Sequence, residues 1–155
     1  MLTKNKFNRA ANLLVCLVFV FFCVQIASAQ NDKTLPAWQS YKGITIGMTT
    51  AEVKQKLGGA KSETADDWSY KFSDTETAEI ILDAAKKVRA VTVMFSEDHL
   101  NAPKFEEVFG KTAKAEPKPD GSVYKLIRFT DAGYWLSYSR QAGDKAMVIV
   151  MIQKL

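Results

Sequence analysis

The spacing of apolar positions changes period several times along this chain, and each change marks an element. Residues 13–24 are an unbroken apolar run without periodicity. Further on, Thr49 with Glu52 three positions later is a capping-box pattern, in which hydroxyl and carboxylate each satisfy an orphan backbone N–H. Val53 and Leu57 follow at i and i+4, and Gly58-Gly59 stops the pattern, so a short helix is expected over about 50–57. Strand-like segments come next. Residues 68–72 are rich in aromatics, and 77–82 place Ala78, Ile80 and Leu82 on one face. Residues 88–95 group Val91, Val93 and Phe95, with 83–87 as the hairpin loop between.

The pattern then recurs. Asn101-Ala102-Pro103 signals a helix start, and Phe105 and Phe109 repeat the i, i+4 pair before Gly110. Pro119-Asp120-Gly121 marks a turn, followed by strand-like runs at 122–129, 133–139 and 145–152. Residues 147–152 are apolar on both faces, which points to a covered central strand. The expected fold is α+β: two helix-plus-three-strand repeats, 44–100 and 101–155, forming a mainly antiparallel sheet with helices packed on one face. Residues 30–43 read as an N-terminal lead-in, polar and flexible over 30–37.

The first 29 residues carry an address. Lys4, Lys6 and Arg9 precede the apolar run, and Ala27-Ser28-Ala29 before Gln30 is a small-x-small cleavage pattern. The alternative, a retained single-pass anchor, requires about 20 apolar residues, more than this run offers. A cleaved signal peptide over 1–29 is therefore expected, with a destination outside the cytoplasm: periplasmic or secreted, with no stable membrane anchor after cleavage. Without the leader, 18 Lys and Arg stand against 17 Asp and Glu, so the +4 of the whole chain is no argument for nucleic-acid binding. Cys16 and Cys23 both lie in the apolar run, leaving neither disulfide nor cysteine metal site in the remainder.

Residues with chemical potential are few. His99 is the only histidine, flanked by Glu97 and Asp98, whereas imidazole metal sites need several ligands and a general base needs an oriented partner. Asp66-Asp67 with Glu63 lacks calcium-loop spacing, Ser137 and Ser139 lack nucleophile-elbow glycines, and Gly58-Gly59 lacks the Lys-Ser/Thr of a phosphate loop. No catalytic residue, metal site or cofactor is expected. The aromatics offer more. Along 133–139, Tyr134, Leu136 and Tyr138 share one face while Trp135, Ser137 and Ser139 share the other. Trp135 among serines is the best candidate for an exposed aromatic anchor, although it could equally cover a neighbouring strand. Trp68, Tyr70, Trp135, Tyr138 and Arg140 form the candidate partner-binding set.

Gly47-Met48-Thr49, Val53, Leu57-Gly58 and Trp68-Ser69-Tyr70 together resemble the motif order of the SmpA/OmlA (BamE-like) small outer-membrane assembly lipoproteins. That domain is similar in fold to each half of the β-lactamase inhibitor proteins. The family has an acylated cysteine where this chain has Gln30, so the resemblance implies fold and binding habit rather than anchoring. The expected function is an exported, non-enzymatic binding or scaffold domain of the bacterial cell envelope that recognises a protein partner. The alternatives are a secreted hydrolase inhibitor and an outer-membrane assembly accessory. The leader reading has a direct check: intact mass of the exported protein should place its first residue at Gln30, and a membrane-bound form retaining Met1 would refute it.

Overall fold

Alternation by twos becomes strand almost where it is read. The computed structural model describes residues 35–96, 101–143 and 147–155. The leader, its cleavage site, the first residues of the lead-in and His99 with Glu97 and Asp98 lie outside the described residues. Seven strands form: β1 (Ser62–Glu63), β2 (Asp67–Lys71), β3 (Glu76–Leu82), β4 (Val88–Phe95), β5 (Val123–Phe129), β6 (Tyr134–Arg140) and β7 (Val148–Lys154). They make one sheet in the order β1-β2-β3-β4-β7-β6-β5, with every pairing antiparallel. The seam between the two parts of the chain is β4 against β7, with Val91 opposite Ile152 and Val93 opposite Val150.

Helix is scarce. α1 (Thr50–Leu57) forms as its capping box requires: the Thr49 N–H donates to Glu52 Oε2 at 2.8 Å and the Glu52 N–H to Thr49 Oγ1 at 3.4 Å. It ends at Gly58, whose φ of 77° is open to a residue without a Cβ. α2 (Phe105–Phe109) has only five residues, and one 3-10 turn covers Thr130–Ala132.

This overturns the expected architecture of two helix-plus-three-strand repeats with helices packed on one face. The molecule is mainly a seven-stranded antiparallel sheet, with β1 as an extra strand in its first part. The second helix fails to develop for a local reason. Pro103 precedes its start, Lys104 is extended at ψ 158°, and Gly110 at φ 108° closes it one turn later. Phe105 and Phe109 do meet, with ring centroids 4.9 Å apart, but a single turn cannot form a helical layer.

The core is instead covered by a mixture of short pieces. The buried sheet face presents Trp68, Tyr70, Ile80, Val93, Leu136 and Val150. Val53 from α1 and Phe105 and Val108 from α2 sit on it, together with Tyr41 and Ile44 from the segment ahead of α1. The described part of the lead-in is thus structural. Pro36 is fully buried, the Trp38 N–H donates to Val108 O at 3.1 Å, and Tyr41 Oη donates to Glu76. Burial, reinforced by that carboxylate, raises the Tyr41 pKa, so the phenol stays a donor. Gly47 N–H to Val88 O and Val88 N–H to Met48 O, both 2.8 Å, then stitch the approach to α1 onto the start of β4.

Two substitutions separate core from cap. Leu136 is fully buried at the middle of β6, so Leu136→Ala should cost about 2–5 kcal/mol in denaturant unfolding. Thr49→Ala removes only a helix cap and should cost about 1 kcal/mol. Equal effects, or none, would mean that the buried sheet face is not the principal source of stability.

Candidate functional site

Because strand side chains alternate, the register that buries one face also defines the other. Three cross-strand rows run across the face opposite the core. The first is Asp67, Ile81, Ala90, Gln153, Trp135 and Arg128; the second is Ser69, Glu79, Thr92, Met151, Ser137 and Leu126. The third is Lys71, Thr77, Met94, Ile149, Ser139 and Tyr124. Among the described residues, no helix or loop is placed over these rows by any pairing or hydrogen bond. Met94 is 39% exposed and Tyr124 56%, Ile81, Leu126, Trp135, Ile149 and Met151 are half-buried, and Ala90 and Thr92 in the middle of β4 are buried. The face is therefore largely aliphatic and aromatic, with Asp67, Glu79 and Lys71 at the β2–β3 flank and Arg128 at the β5 flank.

Two polar features stand out on it. Thr92 is 8% exposed, and its hydroxyl finds no hydrogen-bond partner among the described residues. Asp67 and Glu79 occupy adjacent strands and adjacent rows. A hydrogen bond to the Asp67 carboxyl, with burial and like charge adding to it, raises the Glu79 pKa above its ordinary 4.5. Such a pair retains a proton that an isolated glutamate would lose.

The candidate set read from the sequence divides across the sheet. Trp135 lies on the open face, between Gln153 and Arg128. Trp68, Tyr70 and Tyr138 do not: each is about 5% exposed or less and belongs to the core. Their polar tips show why an aromatic of this kind can be buried. Trp68 Nε1 donates to Thr64 O at 3.2 Å, and Tyr70 Oη to Gly58 O at 3.3 Å. Lys54 Nζ lies 4.8 Å from the Trp68 ring centroid, and Tyr138 meets Phe105 edge-on at 5.5 Å. Tyr138 and Arg140 instead come together on the core side, at a cleft of about 570 Å³ lined also by Phe105, Ala115 and Val123. Arg140 reaches across to Gly121 O at 3.5 Å.

Sequence reading missed most of the residues that share the face with Trp135. Met94, Ile149, Met151, Leu126, Tyr124 and Ile81 were each legible as strand residues on the parity opposite the core, which was the available signal. Residues 147–152 were expected to be covered on both faces. β7 is central, but Ile149 and Met151 lie on the open side. Among the described residues, no three His, Cys, Asp or Glu side chains form a group that could hold a metal ion, and no helix is long and apolar enough to cross a membrane. In comparisons with protein families, with curated proteins and with solved structures, the chain matches none.

The shared proton gives a pH test. Between the ordinary and the raised pKa of Glu79 the folded state binds more protons than the unfolded one, so this pair's contribution to stability falls as pH rises through that window. Glu79→Gln keeps a donor toward Asp67 without the second charge. Its Tm should match wild type below pH 4.5 and exceed it at neutral pH. A gap independent of pH would show that the carboxyls do not share a proton.

Proposed function

We propose that this protein is a non-enzymatic binding domain that recognises a protein partner through the open face of its sheet. One observation carries the reading: Met94 and Tyr124 are exposed, and Ile81, Met151, Ile149, Trp135 and Leu126 half-buried, on a face whose opposite side already builds the core. Contiguous exposed apolar surface of this kind marks interaction sites, because its exposure to water has no return in folding stability. Aromatic and methionine side chains are also those enriched at interface centres. Operation in the cell envelope rests on the leader sequence at 1–29, and the resemblance to envelope lipoproteins rests on the motif residues between 47 and 70.

The face, rather than the cleft or the helices, should make the contact. A photo-crosslinking residue at Met94 or Ser137 should give protein adducts in cells, whereas one at Lys56 on the exposed side of α1 should not. Trp135→Ala should weaken the association by at least about 2 kcal/mol, as loss of a central aromatic does, while Tm falls only slightly. Adducts from Lys56 alone, or a collapse of Tm in Trp135→Ala, would remove the open face from the site.

A further inference from the structure

Charge along the first row of the open face runs from acid to base, with Lys71 two rows away at the β2 end, and this row is complementary to itself. The first row begins at Asp67 and ends at Arg128, with Ile81, Ala90, Gln153 and Trp135 between them. A two-fold axis lying along the strand direction above the β4–β7 seam reverses every row end for end. It would set β2 over β5 of the other molecule, β3 over β6 and β4 over β7. We infer that a second copy of this chain docks on the open face by this two-fold, each Arg128 meeting the acidic flank of the other copy while the apolar centres stack. The inference rests on the binding reading above and names its partner.

Three observations support that occupant over an unrelated one. The first is charge: under the two-fold, Arg128 opposes Asp67, and Glu79 lies one row away, so the guanidinium finds a carboxylate over two rows. Glu79 and Asp67 crowd two carboxyls onto adjacent strands, and the incoming Arg128 would supply a cation to them. The second is shape. Ile81 comes opposite Trp135, Met94 opposite Ile149, and the small Thr92 opposite the long Met151, so large side chains meet apolar or smaller ones in each row. Isologous contacts of this kind, in which residue i meets j and j meets i, are the commonest route to closed dimers.

The third is size. Six strands at a spacing of about 4.8 Å and three rows of about 6.8 Å give an outline of roughly 600 Å² per molecule, to which the already buried Ala90 and Thr92 add little. A standard stable interface needs about 800 Å² per partner, and weak, reversible ones need less. Two aligned sheets about 10 Å apart are also an ordinary packing for antiparallel sheets with apolar faces. The dimer should accordingly be reversible, with Kd in the micromolar range.

Sedimentation equilibrium of the purified protein from micromolar to millimolar concentration tests this. Wild type should show a reversible monomer–dimer equilibrium. Met151→Glu at the centre and Arg128→Glu at the flank should each weaken it at least tenfold. Combining Arg128→Glu with Asp67→Lys should recover most of the affinity lost by Arg128→Glu, because the swapped charges again face one another across the two-fold. Circular dichroism melts of all variants establish that they are folded, and recovery in the double variant is itself evidence against misfolding. A protein monomeric at millimolar concentration overturns the inference, as does a dimer indifferent to Arg128→Glu and Met151→Glu. Should the crosslinks from Met94 then lead to a different protein, the binding reading stands without the dimer. Absence of crosslinks together with absence of a dimer removes both.

Discussion

Everything in this fold depends on the pairing of β4 with β7. The residues joined across that seam are 53 to 63 positions apart in sequence, from Phe95 with Val148 to Ala90 with Gln153. The other strand contacts are local hairpins or near neighbours, and each would form only a small meander with one edge unsatisfied. The seam converts two such pieces into one sheet and places Val91, Val93, Val150 and Ile152 side by side at its middle. It also fixes parity. A slip of one residue would turn these valines outward and bring Met94, Ile149 and Met151 into the core. The character of both faces is thus decided at one interstrand register.

With so little helix, cover for the core has to come from elsewhere. α1 contributes Val53 as its one buried residue, and α2 contributes Phe105 and Val108. The remainder comes from the segment that leads into α1, where Pro36, Tyr41 and Ile44 sit against the sheet and Trp38 is tied to Val108. This segment spans both helices and reaches β3 through Tyr41 and Glu76. It serves as a strap, and the buried phenol, held protonated, is its principal polar attachment.

The sequence was most informative where burial imposes a simple period. β4 was located to the residue, and the cap of α1 was legible in Thr49 and Glu52, because both patterns arise from contacts within a few residues. β1 was not legible, since Ser62 and Glu63 are exposed and carry no apolar signature. The strap was missed because Tyr41 and Trp38 find their partners 35 and 70 positions away. The second helix was overestimated because an i, i+4 pair of phenylalanines shows a face but not a length. At the candidate site, alternation correctly separated Trp135 from Tyr134, Leu136 and Tyr138. It could not show that Trp68, Tyr70 and Tyr138 are interior, because an indole or phenol can bury its ring while its polar tip meets a backbone carbonyl or the edge of a cleft.

The two ends of the sheet are unequal. At one end β1 is only two residues long, a truncated border that offers a neighbouring chain little backbone to extend. At the other, β5 presents seven residues whose outer main-chain groups take part in no strand pairing among the described residues. Its sequence, Val-Tyr-Lys-Leu-Ile-Arg-Phe, has the β propensity of an aggregation-prone segment, interrupted at Lys125 and Arg128. Cations on a border strand discourage edge-to-edge growth, since a second identical strand would bring like charges together. Lys125 and Arg128 therefore guard the rim of the sheet against endless lateral addition of further strands.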